Sequence, residues 1–112
     1  MTRIKIVRVA DLRNAGAIRF RVDRSTPMGN PYILGVHGNR ETVIVKYENW
    51  LRNGPINDIR REKALREIDH IGEFIDANPG VTIELACFCQ SPEDQQPLNC
   101  HARIIRDLLL AK

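Results

Sequence analysis

The segment VTIELACFC (residues 81–89) is the strongest strand signal in the chain and decides its fold class. Its residues alternate between two faces: Val81, Ile83, Leu85 and Cys87 on one, and Thr82, Glu84, Ala86 and Phe88 on the other. The second half of the segment is apolar on both faces, which is typical of a central strand covered on both sides. We therefore predict a sheet with residues 81–89 at its centre.

A helix is predicted to follow this strand. The polar segment QSPEDQQPLN (residues 90–99) indicates a loop, and Asn99 is a suitable N-cap for a helix over residues 100–111. Apolar residues recur along that helix at a spacing that buries one side of it: Ala102, Ile105, Leu108 and Leu109. A strand followed by a helix places the end of residues 81–89 at the edge of a sheet where α/β proteins bind ligands.

The chain before residue 81 predicts two further strands and two helices. RIKIVRV (3–9) and AIRFRV (17–22) are rich in β-branched or alternating apolar residues, which favours strands. Helical spacing predicts a helix over residues 40–54, ended by Gly54, and a second from Pro55 to about Ala77. The order β-β-α-α-β-α indicates a small α/β domain with a short sheet of about three or four strands flanked by helices.

Length and composition restrict the classes of protein. The chain has 112 residues, of which 43% are hydrophobic, so residues 1–112 are expected to form one domain with a real core. The N-terminus has no long apolar segment of the signal-peptide type, and no apolar run approaches the length that spans a bilayer. A soluble, cytoplasmic protein without a membrane partner is therefore expected. The net charge of +3 permits a phosphate-bearing ligand without demonstrating one.

All three cysteines and one of the three histidines fall within residues 84–109. Cys87, Cys89, Cys100 and His101 offer sulfur and nitrogen ligands that could converge on zinc in a Cys₃His set. Two features weaken this interpretation. The C-x-C spacing is tighter than the usual zinc knuckle. Adjacent residues on a helix also diverge by about 100°.

Thiol chemistry and simple burial are the alternatives to zinc. The N–H groups and partial positive charge at a helix N-terminus lower the pKa of a thiol, which makes Cys100 the candidate thiolate and nucleophile, with His101 beside it. Neighbouring helical residues do not face each other, so His101 fits a ligand-binding or capping role better than that of base to Cys100. His37 could serve as that base. Cys87 needs no function, because cysteine is among the most buried residue types.

A long irregular segment, DRSTPMGNPYILGVHGNR (residues 23–40), separates the second strand from the first helix. Loops of this length in compact domains are commonly functional. Arginine forks bind phosphate, and glycine lets backbone N–H groups approach a ligand. We therefore predict an anion-binding loop that is neither a Walker loop nor a dinucleotide fingerprint, with these ligand-binding residues: Arg24, Ser25, Gly29, Asn30 and Arg40. For Arg19 and Arg21, the exposed polar face of a strand is at least as good an interpretation as an anion-binding role.

Four motifs together resemble a family known as domain of unknown function 4326, which is found in bacteria and phages. They are RSTPMGNPY (24–32), RETVIVKYENWL (40–51), LACFC (85–89) and CHARIIRDLL (100–109). The resemblance marks these residues: Ser25, Gly29, Asn30, Pro31, Cys87, Cys89, Cys100 and His101. The gap between the C-x-C and C-H motifs is longer here than in the family pattern. The resemblance implies no established activity, and it is consistent with an origin in a phage or mobile element.

Three functions follow from these observations as hypotheses. The first is a cytoplasmic domain that binds, and could process, a nucleotide-like or other anionic small molecule between the arginine loop and the cysteine edge. The second is a zinc-stabilised interaction module, such as a phage protein that inhibits a host protein. A nucleic-acid binder ranks last, because aromatic residues make up only 5% of the chain and no helix carries a one-sided basic stripe. Whether a reaction is catalysed is left open.

Overall fold

A computed structural model describes residues 3–9, 12, 15–33, 35–87 and 101–111. The element order matches the predicted β-β-α-α-β-α, which confirms a small α/β protein. The elements are β1 (Arg3–Arg8), β2 (Ile18–Arg21), α1 (Arg40–Asn53), α2 (Ile59–Ala77), β3 (Thr82–Cys87) and α3 (Ala102–Leu110). The expectations for Phe88, Cys89, Asn99 and Cys100 lie outside the described residues.

The three strands form one parallel sheet in the order β1-β3-β2. The central position predicted for the strand within residues 81–89 is confirmed. In the register of the sheet, Leu85 lies between Ile6 on one side and Phe20 on the other. Every residue from Ile83 to Cys87 is buried, so the strand is covered on both faces, as its apolar second half predicts.

One hydrophobic core joins the sheet to all three helices. Ile83, Leu85 and Cys87, which share one face of β3, belong to it. The helices contribute buried side chains at helical spacing: Ile44, Tyr47, Trp50 and Leu51 from α1, Ala64, Ile68 and Ile71 from α2, and Ala102, Ile104, Ile105 and Leu109 from α3. The core lies against one face of the sheet.

The other face of β3 carries a buried charge. Glu84 is 0% exposed, and its Oε1 accepts a hydrogen bond from Nε of Arg19 at 3.0 Å and forms an ion pair with Nη2 at 2.9 Å. Arg19 also donates to the carbonyl of Val9 at 3.4 Å. The interpretation of Arg19 as part of an exposed strand face is therefore wrong. Arg19 pairs with the Glu84 carboxylate on the central strand, because a buried charge requires a partner.

Two helices begin later than their sequence signals indicate. α2 starts at Ile59 and not at Pro55, because Asp58 is the N-cap: its Oδ1 accepts from the backbone N–H of Arg61 at 3.1 Å. Hydrogen bonds from the Trp50 indole and the Arg61 backbone hold the pKa of Asp58 below its usual value. α3 starts at Ala102 and not at residue 100. Within the described residues, no helix is long and apolar enough to cross a membrane.

Candidate anion-binding groove

The carboxyl ends of the three parallel strands lie at one edge of the sheet. The loop that starts at Val22 leaves this edge after β2, β3 ends there at Cys87, and the chain re-enters it at His101 before α3. The backbone N–H of Val22 donates to the carbonyl of Ala86 at 2.8 Å, which anchors the loop to the central strand. Ligands of open α/β sheets bind at this edge.

A groove of about 470 Å³ lies between this loop and the start of α2. The lining residues are Arg24, Ser25, Thr26 and Pro27 from the loop, and Ile59, Arg60 and Lys63 from α2. Three of these side chains are cationic and none is acidic. Within the described part of the chain, Arg24, Arg60 and Lys63 form no ion pair.

Both arginines of the groove are attached to the loop backbone. Nη2 of Arg24 donates to the carbonyl of Tyr32 at 3.3 Å, and Nη2 of Arg60 donates to the carbonyl of Gly29 at 3.3 Å. A guanidinium carries five N–H donors, so one carbonyl occupies a fraction of its capacity. The two side chains are thus held in place while they keep donors for an anion.

A buried carboxylate supports Ser25 from below the groove. Asp23 is 3% exposed, and its Oδ2 accepts from Nη2 of Arg21 at 2.5 Å. Its Oδ1 accepts from the backbone N–H of Ser25 at 3.2 Å and from Oγ of Ser25 at 2.5 Å. Burial alone would raise the pKa of Asp23, but the hydrogen bonds from Arg21 and Ser25 outweigh it and hold the pKa below its usual value.

Asp23 was not among the site residues expected from the sequence. An acidic residue two positions before a serine, at the start of an irregular segment, is a signal for a turn in which the carboxylate accepts local hydrogen bonds. That signal was available in the stretch DRS. The neighbouring arginines point more directly to a ligand than this turn signal does.

We expect the Asp23 carboxylate to make stability depend on pH. Because its folded pKa lies below the ordinary value of 3.8, its contribution is fully present above that value and is lost as pH falls through the folded pKa. Asp23→Asn should therefore lower the free energy of unfolding at pH 7 by about 2 kcal/mol and reduce its decline in acid. Urea unfolding between pH 7 and pH 3 measures both effects. Asp76→Asn, on the exposed side of α2, is the control, and an equal loss there would contradict the prediction.

Gly29 and Asn30 lie beneath the loop rather than along the groove. Nδ2 of Asn30 donates to the carbonyl of Val43 in α1 at 3.1 Å, and its Oδ1 accepts from the backbone N–H of Tyr32 at 2.9 Å. Both ends of this buried amide are therefore engaged within the protein. Arg40 is the first residue of α1 and is not among the groove residues. Of the predicted ligand-binding residues, the structure brings Arg24 and Ser25 to the groove.

His101 and Tyr47 hold the two ends, Val22 and Met28, of the loop that lines the groove, which we call the groove loop. His101 is 2% exposed, and its Nε2 lies 2.5 Å from the carbonyl of Val22, which can only accept, so Nε2 carries the proton. The ring packs edge to face on Tyr47 with centroids 5.1 Å apart. Tyr47 in turn donates its hydroxyl to the carbonyl of Met28 at 2.7 Å. His101, which was predicted to be catalytic, is thus not among the groove residues, and it contacts the backbone of the loop instead.

The structure describes only part of the cysteine cluster. Cys87 is buried in the core, whereas Cys89 and Cys100 lie outside the described residues. The residues that are described hold no cluster of three histidine, cysteine or acidic side chains that could bind a metal ion. The Cys₃His zinc set and the Cys100 thiolate therefore remain predictions. His37, the suggested base, accepts a hydrogen bond at Nδ1 from the backbone N–H of Ile33 at 2.7 Å.

Comparison with known protein families agrees with the motif resemblance. A family model described as "Domain of unknown function (DUF4326)" matches residues 5–111, almost the full length. No curated protein and no solved structure matches the chain. The family resemblance predicted from four short motifs is confirmed, and the match extends it to β1, which carries none of those motifs.

Proposed function

We propose that this chain, which belongs to the DUF4326 family, binds a small phosphate-bearing, nucleotide-like ligand in the groove between the loop of residues 24–27 and α2. The observation that carries the proposal is the charge of the groove. Arg24, Arg60 and Lys63 line it together, and no acidic side chain does. Like charges gathered in one groove repel each other, and a bound anion removes that repulsion.

The type of cation favours phosphate over other anions. Arginine forks match the geometry of phosphate oxygens, and lysine adds a compact charge with three donors. The hydroxyls of Ser25 and Thr26 belong to residues of the same groove, but both donate their proton to Asp23, so the cations are the donors left for an anion. A phosphate dianion can use two arginines and a lysine together, whereas a single carboxylate offers only two oxygens to the same donors.

The apolar part of the groove favours an organic phosphate over the inorganic ion. Pro27 and Ile59 line it beside the cations, and Ile59 is 68% exposed. An exposed apolar side chain next to a charged site is a surface that a ring or sugar can cover, which makes the contact favourable by removing apolar area from water. A nucleotide combines a phosphate with a ring of this kind.

The cysteine edge belongs to the proposal through His101. The ring of this residue is hydrogen-bonded to the carbonyl of Val22, where the groove loop begins. We propose that Cys89, Cys100 and His101 contribute to processing a ligand. We also propose a cytoplasmic location, and an origin in a phage is consistent with the motif resemblance.

Calorimetric titration with phosphate, pyrophosphate, AMP and ATP tests the proposal. We expect ATP or AMP to bind more tightly than phosphate, and Arg60→Gln to weaken binding about tenfold, since loss of one charge-assisted hydrogen bond costs about 1.5 kcal/mol. Affinity should fall as salt rises, because part of it is electrostatic. Arg66→Gln is the matched control, because Arg66 lies on the same helix but pairs with Glu62 at 2.9 Å.

Two results would count against the groove as the ligand site. One is the absence of measurable binding by any of the four anions at low salt. The other is an equal loss of affinity in Arg60→Gln and Arg66→Gln, which would mean that the net charge of α2 is being measured. Bound zinc that is lost in Cys89→Ser, together with no anion binding, would favour the zinc-stabilised interaction module instead.

A further inference from the structure

We infer that Ser25 is a nucleophile that accepts a phosphoryl group from a phosphoanhydride, such as a nucleoside triphosphate, bound in the groove. This inference rests on the proposed function, because it requires the ligand's phosphates to lie between the groove cations. It adds a reaction and names the atom at which the reaction occurs. The structure brings together a nucleophile, a base, a group that orients the base, and an anion clamp.

Ser25 has the position and contacts of a nucleophile. It is exposed and lines the groove. Its Oγ donates a hydrogen bond to Oδ1 of Asp23. A hydroxyl that donates its proton in this way keeps both lone pairs on oxygen, and those are the electrons that attack phosphorus.

The base is fixed in one orientation. Asp23 is buried, and its second oxygen, Oδ2, is occupied by Arg21. The backbone N–H of Ser25 holds Oδ1 as well. A nucleophile, its base and a third group that orients the base form the arrangement that activates serine in enzymes generally. Here the third group is an arginine, which also keeps the carboxylate ionised.

The three groove cations supply the remaining requirement. In phosphoryl transfer, negative charge is spread over the oxygens of the transferred group, and catalysis depends mainly on positioning and on fixed positive charge. Arg24 and Arg60 are held by loop carbonyls, so they need little rearrangement when the charge develops. Lys63 adds a third positive charge from the next turn of α2.

The properties of Asp23 favour phosphoryl transfer over acyl transfer. Its hydrogen bonds with Arg21 and Ser25 keep its pKa low, so it is a weak base. Attack on a carbonyl needs a base that withdraws the proton strongly, a role usually filled by histidine. The loose transition state of phosphoryl transfer requires little of its base, and an aspartate accepts the hydroxyl proton in kinases. His101 does not serve as that base, because its Nε2 is engaged with the carbonyl of Val22.

The chemical step balances with the groups present. Oγ of Ser25 forms a bond to the terminal phosphorus while the bond from that phosphorus to the bridging oxygen breaks. The bridging oxygen keeps the electron pair and leaves on the nucleoside diphosphate. The Ser25 proton passes to Oδ1 of Asp23, which releases it to solvent because its pKa is low. The products are phosphoserine at position 25 and a nucleoside diphosphate, without oxidation or reduction.

Incubation with ATP and Mg²⁺, followed by intact-protein and peptide mass spectrometry, tests the inference. We expect one added phosphoryl group at Ser25 and release of ADP. Ser25→Ala should abolish both while still binding ATP in calorimetry, since the cations remain. Asp23→Asn should slow the transfer about 100-fold, the range expected for loss of a general base. Thr42→Ala, which removes a hydroxyl in α1 away from the groove, should leave transfer unchanged.

Each alternative result has a definite meaning. ATP binding without phosphoserine and without ADP release would overturn the inference and leave the proposed function standing. ADP release without accumulated phosphoserine would support it only if Ser25→Ala abolished the release. Phosphorylation at another residue would overturn it. Absence of ATP binding to the unaltered protein would contradict the proposed function itself, and the inference would fail with it.

Discussion

Replacing Gly29 with alanine is expected to destabilise the folded protein by about 3 kcal/mol, the upper range for an added group in a packed site. A Cβ at this position would lie 2.5 Å from Cα of Arg24 and 2.5 Å from the carbonyl oxygen of Asp23. Both are backbone atoms, so no side-chain rotation relieves the contact. The loop must open, which displaces Arg24 and the Asp23–Ser25 hydrogen bonds. Urea unfolding measures the loss, and calorimetry with ATP should show weakened binding.

Gly80→Ala is the matched control for this substitution. Gly80 has φ of +84°, and no neighbouring atom lies within 4 Å of the position that a Cβ would take, so alanine there meets backbone strain and open space. The left-handed conformation alone costs about 1 kcal/mol. Gly80→Ala should therefore lose about a third as much stability and keep the affinity for anions. Equal losses at the two positions would show that the close approach at Gly29 does not determine the loop.

Replacing Arg19 with methionine is expected to cost about 3 kcal/mol, because it removes the arginine partner of a fully buried carboxylate. Glu84 is 0% exposed on the central strand, whereas the Arg19 side chain is 17% exposed. Methionine retains much of the arginine's apolar length but offers no charge. The double variant Arg19→Met, Glu84→Leu should recover at least half of the lost stability, since an apolar pair can replace a buried ion pair.

Arg66→Met provides the control for the ion pair. Arg66 and Glu62 also lie 2.9 Å apart, but their side chains are 64% and 59% exposed. Exposed pairs of this i,i+4 type contribute about 0.5 kcal/mol or less. Denaturant unfolding of both variants should therefore show a difference of at least about 2 kcal/mol. A similar loss in the two would mean that burial does not strengthen the Arg19–Glu84 interaction.

The fold was predictable because its strongest signal lies on the element that organises it. The second half of the central strand is apolar on both faces, which is typical of a strand buried in the middle of a sheet. The partner of Glu84 was not predictable in the same way. Alternation along β2 assigns Arg19 to the polar face, but only the sheet order shows that this face lies beside a buried carboxylate.

The loop that lines the groove could be predicted from the sequence, but the full set of lining residues could not. The residue types in DRSTPMGNPY indicate an anion, and Arg24 and Ser25 line the groove. Arg60 and Lys63 were not among the expected site residues, because nothing in the sequence of α2 shows which loop packs beside its first turns. Asn30 was expected at the ligand, yet its amide holds α1. Local sequence shows which residue types a loop carries, whereas tertiary packing determines which of them line the groove.

The central position of β3 also determines when the groove can form during folding. β1 and β2 each pair with β3, and in the described part of the chain they do not pair with each other. Arg3 pairs with Thr82 across most of the length of the chain, a long-range contact of the kind that slows folding. Every residue that lines the groove precedes β3, but the loop is tied to Ala86 and His101. A chain emerging from the ribosome therefore carries all the groove residues before it has the strand that arranges them.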